Sequence, residues 1–142
     1  MIAKISIVTK MEHLQECSRY LQGYQKLSLP EILKDHTVQG AILRYFQVAV
    51  ESTMDIGELI ISEKKLPKPQ EGKDIFAGLA KHNIISLSIA ERFSQAVKFR
   101  NLIVHEYSRI NWELVYKHLQ NDLADFQQFS QEIMRFLQDQ DS

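Results

Sequence analysis

Apolar residues recur along this chain at the three- and four-residue spacing of an α-helix nearly everywhere. No stretch alternates between apolar and polar residues for long enough to indicate a strand. A first helix is predicted over about residues 3–25, on an apolar stripe formed by Ile7, Met11, Leu14, Cys17 and Leu21. The pattern as a whole predicts an all-α bundle of four long helices and one short helix.

Polar caps and prolines predict where the other helices begin and end. Asp35 or Thr37 is expected to cap a second helix, which follows a connection containing Pro30 and runs to about Ser62. Residues 63–72 then form a charged loop with two prolines. Three later helices are predicted: a short one capped by Asp74 and ending near His82, one with a Ser88–Glu91 capping box, and a last one from Asn111 to about Gln138.

The second helix carries a narrow polar stripe on an otherwise apolar surface. At about 100° per residue, Arg44, Glu51 and Asp55 lie near one line, and Gln47 and Glu58 join them. Apolar residues occupy most of the remaining circumference, so this helix is expected to pack on several sides. The stripe is then either the one face left to solvent or the wall of a cleft, and the pattern favours neither.

Composition and charge limit the classes of protein that fit. With 142 residues, of which 44% are hydrophobic and 25% charged, the chain is expected to be one globular domain over residues 1–142. Its single cysteine, Cys17, suits the reducing cytoplasm, and its place among apolar positions predicts a buried, inert thiol. No stretch approaches the roughly 20 apolar residues of a membrane span. Because the net charge is -1, binding to nucleic acid is expected to need a local basic patch.

The segment RNLIVHEY, residues 100–107, sets polar side chains into a run that otherwise resembles buried core. The three apolar residues in its middle predict a dry helix face. On a regular helix Arg100 and Tyr107 lie on nearly the same line, while Asn101 and His105 stack on a neighbouring one. A buried guanidinium needs a partner or a cleft, because an unpaired buried charge is costly. Two interpretations therefore remain open. Arg100 either forms a structural pair with an acid of the second helix, Glu51 or Asp55, or belongs to a functional site.

Other chemistries fit this sequence less well. The pair His105-Glu106 lacks the second histidine that a zinc protease helix needs four residues later. The five histidines and the one cysteine show no paired metal-ligand spacing. There is no glycine-rich phosphate loop and no serine in an elbow motif. Neither a metal ion nor a cofactor is expected.

Arg100, His105 and Tyr107 form an R-x4-H-x-Y motif with a polar residue, Asn101, directly after the arginine. This motif resembles that of the HEPN superfamily, and specifically of its HepT toxin family. The stretch ILRYFQVAVESTMDIGELII is similar to the family's long second helix, with an Arg, a Glu and an Asp at the matching spacing. The segment from Ala90 through FRNLIVHEYSRINWELVY resembles its motif helix and the start of its last helix. The likeness covers most of the chain and implies a HEPN-type up-and-down four-helix bundle with one additional short helix.

The resemblance implies the toxin of a toxin–antitoxin system, a metal-independent endoribonuclease that acts on cellular RNA, either tRNA or mRNA. It also implies a homodimer in which two motifs face one cleft. In that cleft Arg100 suits the charge that develops on phosphorus, and His105 suits the proton transfers. Asn101 would orient His105 or contact the phosphate. The stripe of Arg44, Glu51 and Asp55 would line the cleft beside them.

Tyr107 is not needed for RNA cleavage as such. In the family that the chain resembles, the matching tyrosine accepts AMP from a minimal nucleotidyltransferase, the antitoxin. The resemblance therefore implies such a partner, a larger assembly of toxin and antitoxin, and an adenylate on Tyr107 that competes with RNA for Arg100. A second interpretation remains open, in which the chain is a non-enzymatic helical subunit that regulates the transferase and keeps the motif for folding or docking.

Overall fold

The chain is helical apart from short connections in the computed structural model, which describes the backbone of residues 2–141 and the side chains of residues 4–140. Within those limits no strand is present, so the all-α prediction is confirmed. The elements in chain order are α1 (Ile2–Tyr24), α2 (Leu29–Leu33), α3 (His36–Glu63), α4 (Asp74–Lys81), α5 (Leu87–His105), a 3₁₀ turn (Tyr107–Arg109), α6 (Trp112–Asn121) and α7 (Leu123–Asp141).

One cluster of buried apolar side chains includes members from all seven of these α-helices. The stripe predicted on α1 belongs to it, and its five residues, from Ile7 to Leu21, are all buried. Phe93 lies at the centre, with its ring centroid 5.4 Å from that of Phe76 and 5.1 Å from that of Phe129. Around this core, α1 packs along α3 and α7, and α5 packs against α3, α4 and α7. In the described part of the chain, no helix is both long enough and apolar enough to cross a membrane.

Two of the predicted caps are confirmed. The Asp35 side chain accepts hydrogen bonds from the backbone N–H groups of Thr37 and Val38, each at 3.1 Å, and α3 begins directly after it. The Asn111 side chain accepts from the N–H of Leu114 at 3.2 Å at the start of α6. In both helices a polar side chain satisfies donors that have no partner inside the helix.

The connection after α1 contains a short helix, α2, that was not predicted from the sequence. Ser28 and Glu31 form a complete capping box: the Ser28 side chain accepts from the N–H of Glu31, and the Glu31 carboxylate accepts from the N–H of Ser28. Pro30 lies in the first turn of α2, where its missing N–H costs no hydrogen bond. A proline interpreted as part of a connection therefore helps to begin a helix.

The predicted caps of α4 and α5 were wrong. Ser86, not Ser88, caps α5, because its side chain accepts from the N–H of Ile89 at 3.2 Å. Asp74 is the first residue of α4 and not its cap, and its carboxylate accepts from the N–H of Glu71 in the preceding loop at 3.2 Å.

The last predicted helix is two helices, since α6 ends at Asn121 and α7 begins at Leu123. The ring of His118 is hydrogen-bonded to the carboxylate of Asp122 at the break. Leu119 and Leu123 are both buried, so the apolar spacing continues through the break and conceals it. The bundle therefore has four long segments, of which the fourth is interrupted, and two short helices where one was predicted.

Candidate functional site

Helices α3 and α5 meet at a contact between Glu51 and Arg100. The Arg100 Nε atom lies 3.6 Å from Glu51 Oε1, and the two side chains are 25% and 35% exposed. Glu51 Oε1 also accepts a hydrogen bond from Gln47 Nε2 at 2.9 Å, one turn earlier on α3. Of the two acids that the sequence offered as partners for Arg100, the structure pairs it with Glu51.

The guanidinium of Arg100 makes one hydrogen bond within the described structure. Its Nη1 donates to Oδ1 of Asn101 at 2.6 Å. Its Nε is buried and has no hydrogen-bond partner among the described residues, because 3.6 Å to Glu51 is too long for one. An arginine carries five N–H donors, so donors remain for an incoming anion. Asn101 thus contacts Arg100, and no bond between Asn101 and His105 is present in the described structure.

Two other charged residues of the α3 stripe, Asp55 and Arg44, face α1. Asp55 accepts from Lys10 Nζ of α1 at 3.2 Å, in a pair that is largely exposed to solvent. Arg44 is exposed and is close enough to Cys17 of α1 to lower the pKa of that thiol, against the larger effect of burial. Within residues 4–140, Glu51 is therefore the one member of the stripe that contacts the motif side chains.

The motif helix ends in the middle of the motif. His105 is the last residue of α5, and Tyr107 begins the 3₁₀ turn, in which the N–H of Arg109 bonds to the carbonyl of Glu106 at 2.8 Å. The prediction that Tyr107 continues the helical line of Arg100 was wrong for this reason. His105 and Tyr107 are both exposed, Tyr107 to 59%, and neither makes a hydrogen bond or ion pair with another described side chain.

Only one of the three apolar residues inside the motif is buried. Ile103 faces the core, whereas Leu102 and Val104 are 43% and 44% exposed. Each of those neighbours is rotated by about 100° from Ile103, so a helix that packs along one narrow face leaves both of them outside. The prediction of a dry helix face was wrong for Leu102 and Val104, and apolar surface lies beside the polar motif.

A cavity of about 430 Å³ opens beside Arg100 and Asn101. Lys98, Lys73 and Glu71 also line it, and Lys73 Nζ lies 3.3 Å from a carboxylate oxygen of Glu71. Lys73 adjoins the charged loop before α4, for which only a connecting role was predicted, and tertiary folding alone brings it here. No local pattern predicts its place, although Lys98 stands only two residues before Arg100.

Three cations and one carboxylate thus line a cavity in a chain whose net charge is -1. Such an arrangement suits the binding of a phosphate group. The described residues contain no group of three or more His, Cys, Asp or Glu side chains that is arranged to hold a metal ion.

The chain is similar to known proteins in sequence and in fold. Residues 11–133 match the family model described as Ribonuclease HepT-like. The chain is 31% identical over 124 residues to the mRNA nuclease HepT of Shewanella oneidensis, covering 87% of this chain and 92% of that one. It is 24% identical over 136 residues to the tRNA nuclease HepT of Aphanizomenon flos-aquae, covering 96% and 92%. A solved complex of the tri-AMPylated Shewanella oneidensis HEPN toxin with its MNT antitoxin matches with a TM-score of 0.85 at 28% identity, over 92% of this chain and 97% of the toxin.

Proposed function

Because the chain belongs to the HepT-like ribonuclease family, we propose that it is the toxin of a toxin–antitoxin pair and cleaves cellular RNA without a metal ion. The observation that carries the proposal is the cavity beside Arg100 and Asn101, where Arg100 keeps donors free and Lys73 and Lys98 add charge. This is the local basic patch that a chain of net charge -1 needs in order to bind a phosphate backbone. The two HepT relatives are nucleases of mRNA and of tRNA, and the substrate here is one of these classes.

The proposed reaction uses the 2′-hydroxyl of the RNA as the nucleophile. Its oxygen attacks the adjacent phosphorus, the bond from phosphorus to the 5′-oxygen breaks, and the leaving oxygen takes up a proton. Arg100 stabilises the charge that develops on the phosphoryl oxygens, for which its planar fork is suited. His105, exposed and without a partner in the described structure, exchanges the protons as general base or acid. Asn101 holds the guanidinium in place through its 2.6 Å hydrogen bond.

We further propose that the active form is a homodimer in which the two motifs face one cleft. The histidine of one chain can serve one of the two proton transfers, and the histidine of a second copy can serve the other. The exposed side chains of Leu102 and Val104, beside the motif, provide apolar surface for such a contact. We also propose that residues 1–142 form one domain, because a single buried cluster includes side chains from all seven helices.

The proposed regulation is AMPylation of Tyr107 by a cognate minimal nucleotidyltransferase. The phenol oxygen attacks the α-phosphorus of ATP, and pyrophosphate leaves. Tyr107 is 59% exposed and lies two residues after His105, so an adenylate on it adds negative charge beside the groups that bind RNA. The solved relative is a tri-AMPylated toxin in complex with its antitoxin, which supports a similar modification here. Dimer and antitoxin are proposed to form a larger hetero-oligomer in the cytoplasm, where cellular RNA is available.

The decisive experiment follows RNA cleavage by the purified chain in EDTA, before and after incubation with the nucleotidyltransferase and ATP. We expect cleavage in EDTA, no cleavage by a His105→Ala control, and loss of cleavage after AMPylation. A requirement for added divalent metal would contradict the mechanism. An unmodified dimer that binds the transferase but cleaves no RNA would instead support the non-enzymatic regulatory subunit.

A further inference from the structure

A second groove, of about 670 Å³, runs between α1 and α7. Its walls belong to these two helices alone, and it shares no residue with the cavity beside Arg100. The groove has no part in the proposed reaction.

The charge of this groove is of one sign. Arg19 and Arg135 are its charged lining residues, and no aspartate or glutamate of the described chain lines it. Neither arginine forms an ion pair with another described residue. Five glutamines supply most of the remaining polar lining. Because a guanidinium that forms no ion pair keeps its donors for an anion, the groove favours an anionic ligand.

A buried hydroxyl in the groove lacks a hydrogen-bond partner. Ser130 is 4% exposed, and its Oγ is buried without a partner among the described residues. Ser18 of α1, 8% exposed, is also part of the lining, together with the apolar side chain of Met134 at 36% exposure. Buried polar groups are nearly always paired in native proteins. A ligand group that hydrogen-bonds to Ser130 Oγ would supply the partner that this hydroxyl lacks.

The two arginines lie toward opposite ends of the groove. α1 and α7 run antiparallel, since Lys4 near the start of α1 shares a pocket with Gln140 near the end of α7. Arg19 lies late in α1 and Arg135 lies late in α7. At about 1.5 Å per residue, the lining stretch of α7 from residue 126 to 138 is about 18 Å long. One small anion therefore cannot contact both arginines, and the ligand must be extended, with anionic groups near both ends.

We propose that this groove binds an acidic segment of a protein partner, with carboxylates about two to three helical turns apart. Glutamine amides match the donors and acceptors of a peptide, and Met134 offers an apolar contact. A single RNA strand fits less well, because its bases need exposed aromatic rings, and the one ring in the lining, that of Phe126, is 5% exposed. The inference rests on the proposed function in one respect, since it assigns the segment to the nucleotidyltransferase.

Docking at α1 and α7 would hold the transferase on the toxin while leaving Tyr107 and Arg100 uncovered. A tethered enzyme encounters its acceptor at a high effective concentration. The groove is thus proposed to hold the antitoxin on the toxin separately from the contact at which AMP is transferred.

The test compares the affinity of the transferase for the wild-type toxin and for an Arg19→Gln/Arg135→Gln variant, by titration calorimetry. We expect a dissociation constant at least about tenfold higher for the variant, from the loss of two charge-assisted contacts. RNA cleavage and the circular dichroism spectrum should not change. Lys34→Gln/Lys81→Gln removes the same charge at exposed positions elsewhere and should bind like wild type. Ser130→Ala should weaken binding without lowering the thermal midpoint, because its hydroxyl has no partner in the free chain.

Equal affinities of the wild type and the arginine double variant would overturn the inference while leaving the proposed function intact. Weaker binding of RNA, with unchanged binding of the transferase, would also overturn it and assign the groove to nucleic acid. A wild-type toxin that does not bind the transferase at all would overturn the proposed function, and this assignment with it.

Discussion

The Nε atom of Arg100 lies 3.6 Å from Oε1 of Glu51, so the motif helix and the long helix α3 are joined by a pair of opposite charges. Partly exposed pairs of this kind contribute at most about 1 kcal/mol to stability. The contact is also longer than a hydrogen bond. Its stronger consequence is for position, because it limits where the guanidinium points and adds a negative charge beside the proposed phosphate site.

Arg100→Ala and His105→Ala are each expected to lower the rate of RNA cleavage by about a hundredfold or more, since each removes a group that acts on the reacting atoms. Arg100 is partly exposed and His105 is exposed, and neither belongs to the apolar core, so far-UV circular dichroism and the thermal midpoint should change little. Lys117→Ala, at an exposed position of α6, is the matched control and should retain activity. Unfolding of both motif variants would favour a purely structural polar network.

Glu51→Gln separates the two effects of the Arg100 contact. The amide keeps an acceptor for Gln47 but removes the charge that faces the guanidinium. We expect KM for RNA to fall, because a negative charge near the phosphate is gone, and kcat to fall as well, because Arg100 is held less firmly. Steady-state kinetics measure both, with Glu63→Gln at the exposed end of α3 as the control. A variant with unchanged kcat and KM would show that Glu51 has no part in the site.

Ser86→Ala should lower the free energy of unfolding by about 1 kcal/mol, whereas Ser88→Ala should have almost no effect. The Ser86 side chain caps α5 and also donates to Glu132 Oε2 at 3.2 Å, so its loss removes two hydrogen bonds. Ser88 is exposed inside the first turn. Urea denaturation of the two variants measures the difference. A larger loss for Ser88→Ala than for Ser86→Ala would mean that α5 begins where the capping-box pattern placed it.

This pair of serines shows what sequence patterns predict and what they miss. Apolar spacing predicted α1 and α3 well, because the residues on the buried face of a helix recur every three or four positions. At the start of α5 two serines compete, and the choice depends on Glu132, 46 positions later, which accepts from the N–H of Ser86 at 2.6 Å. No local pattern contains that contact. The HEPN-type fold itself followed from one motif and one helix, and the likeness to the solved toxin confirms it.

The candidate site likewise contains residues that the sequence indicated and residues that it did not. Arg100, Asn101, His105 and Tyr107 stand close together in one motif, and the resemblance of that motif to the HepT family's is what identified them as candidates. Lys73 reaches the same cavity from a loop whose prolines suggested only a connection. α5 ends at His105 and a 3₁₀ turn begins at Tyr107, which is why ideal helical geometry misplaced Tyr107.

Cys17 is expected to be unreactive in the folded protein. Burial raises the pKa of its thiol, and Glu16 raises it further, against a smaller opposing effect of Arg44. Alkylation by iodoacetamide at pH 8 should therefore be at least about tenfold slower in the native state than in urea, since the thiolate is the nucleophile. Mass spectrometry over time measures both rates, and equal rates would contradict the burial of Cys17.

The same pKa shift predicts a dependence of stability on alkaline pH. A thiol whose pKa is raised by folding stabilises the protein fully below the thiol's ordinary pKa. That contribution is lost as the pH rises through the folded value, because the unfolded chain ionises first. The free energy of unfolding should thus fall above about pH 9 in the wild type. The part of this pH dependence that is due to the Cys17 thiol should be absent in Cys17→Ala.

Tyr107→Phe should fold normally, resist modification by the transferase and escape neutralisation. The phenylalanine keeps the ring but lacks the oxygen that attacks ATP, and Tyr107 makes no hydrogen bond with another described residue that the change would break. Intact mass after co-expression with the transferase measures the result. The wild type should gain mass in steps of one adenylate, and the variant should gain none.

Tyr20 is the matched control for this variant, because it is also an exposed tyrosine, at 46%, but its hydroxyl donates to Glu16 at 3.3 Å. The neighbouring Glu16 raises the pKa of the Tyr20 phenol and repels the phosphates of ATP, so Tyr20 should be a poor acceptor of AMP. Tyr20→Phe is therefore expected to gain as many adenylates as the wild type. Peptide mapping that placed the adenylate on Tyr20, or found it undiminished in Tyr107→Phe, would remove the proposed switch from the motif.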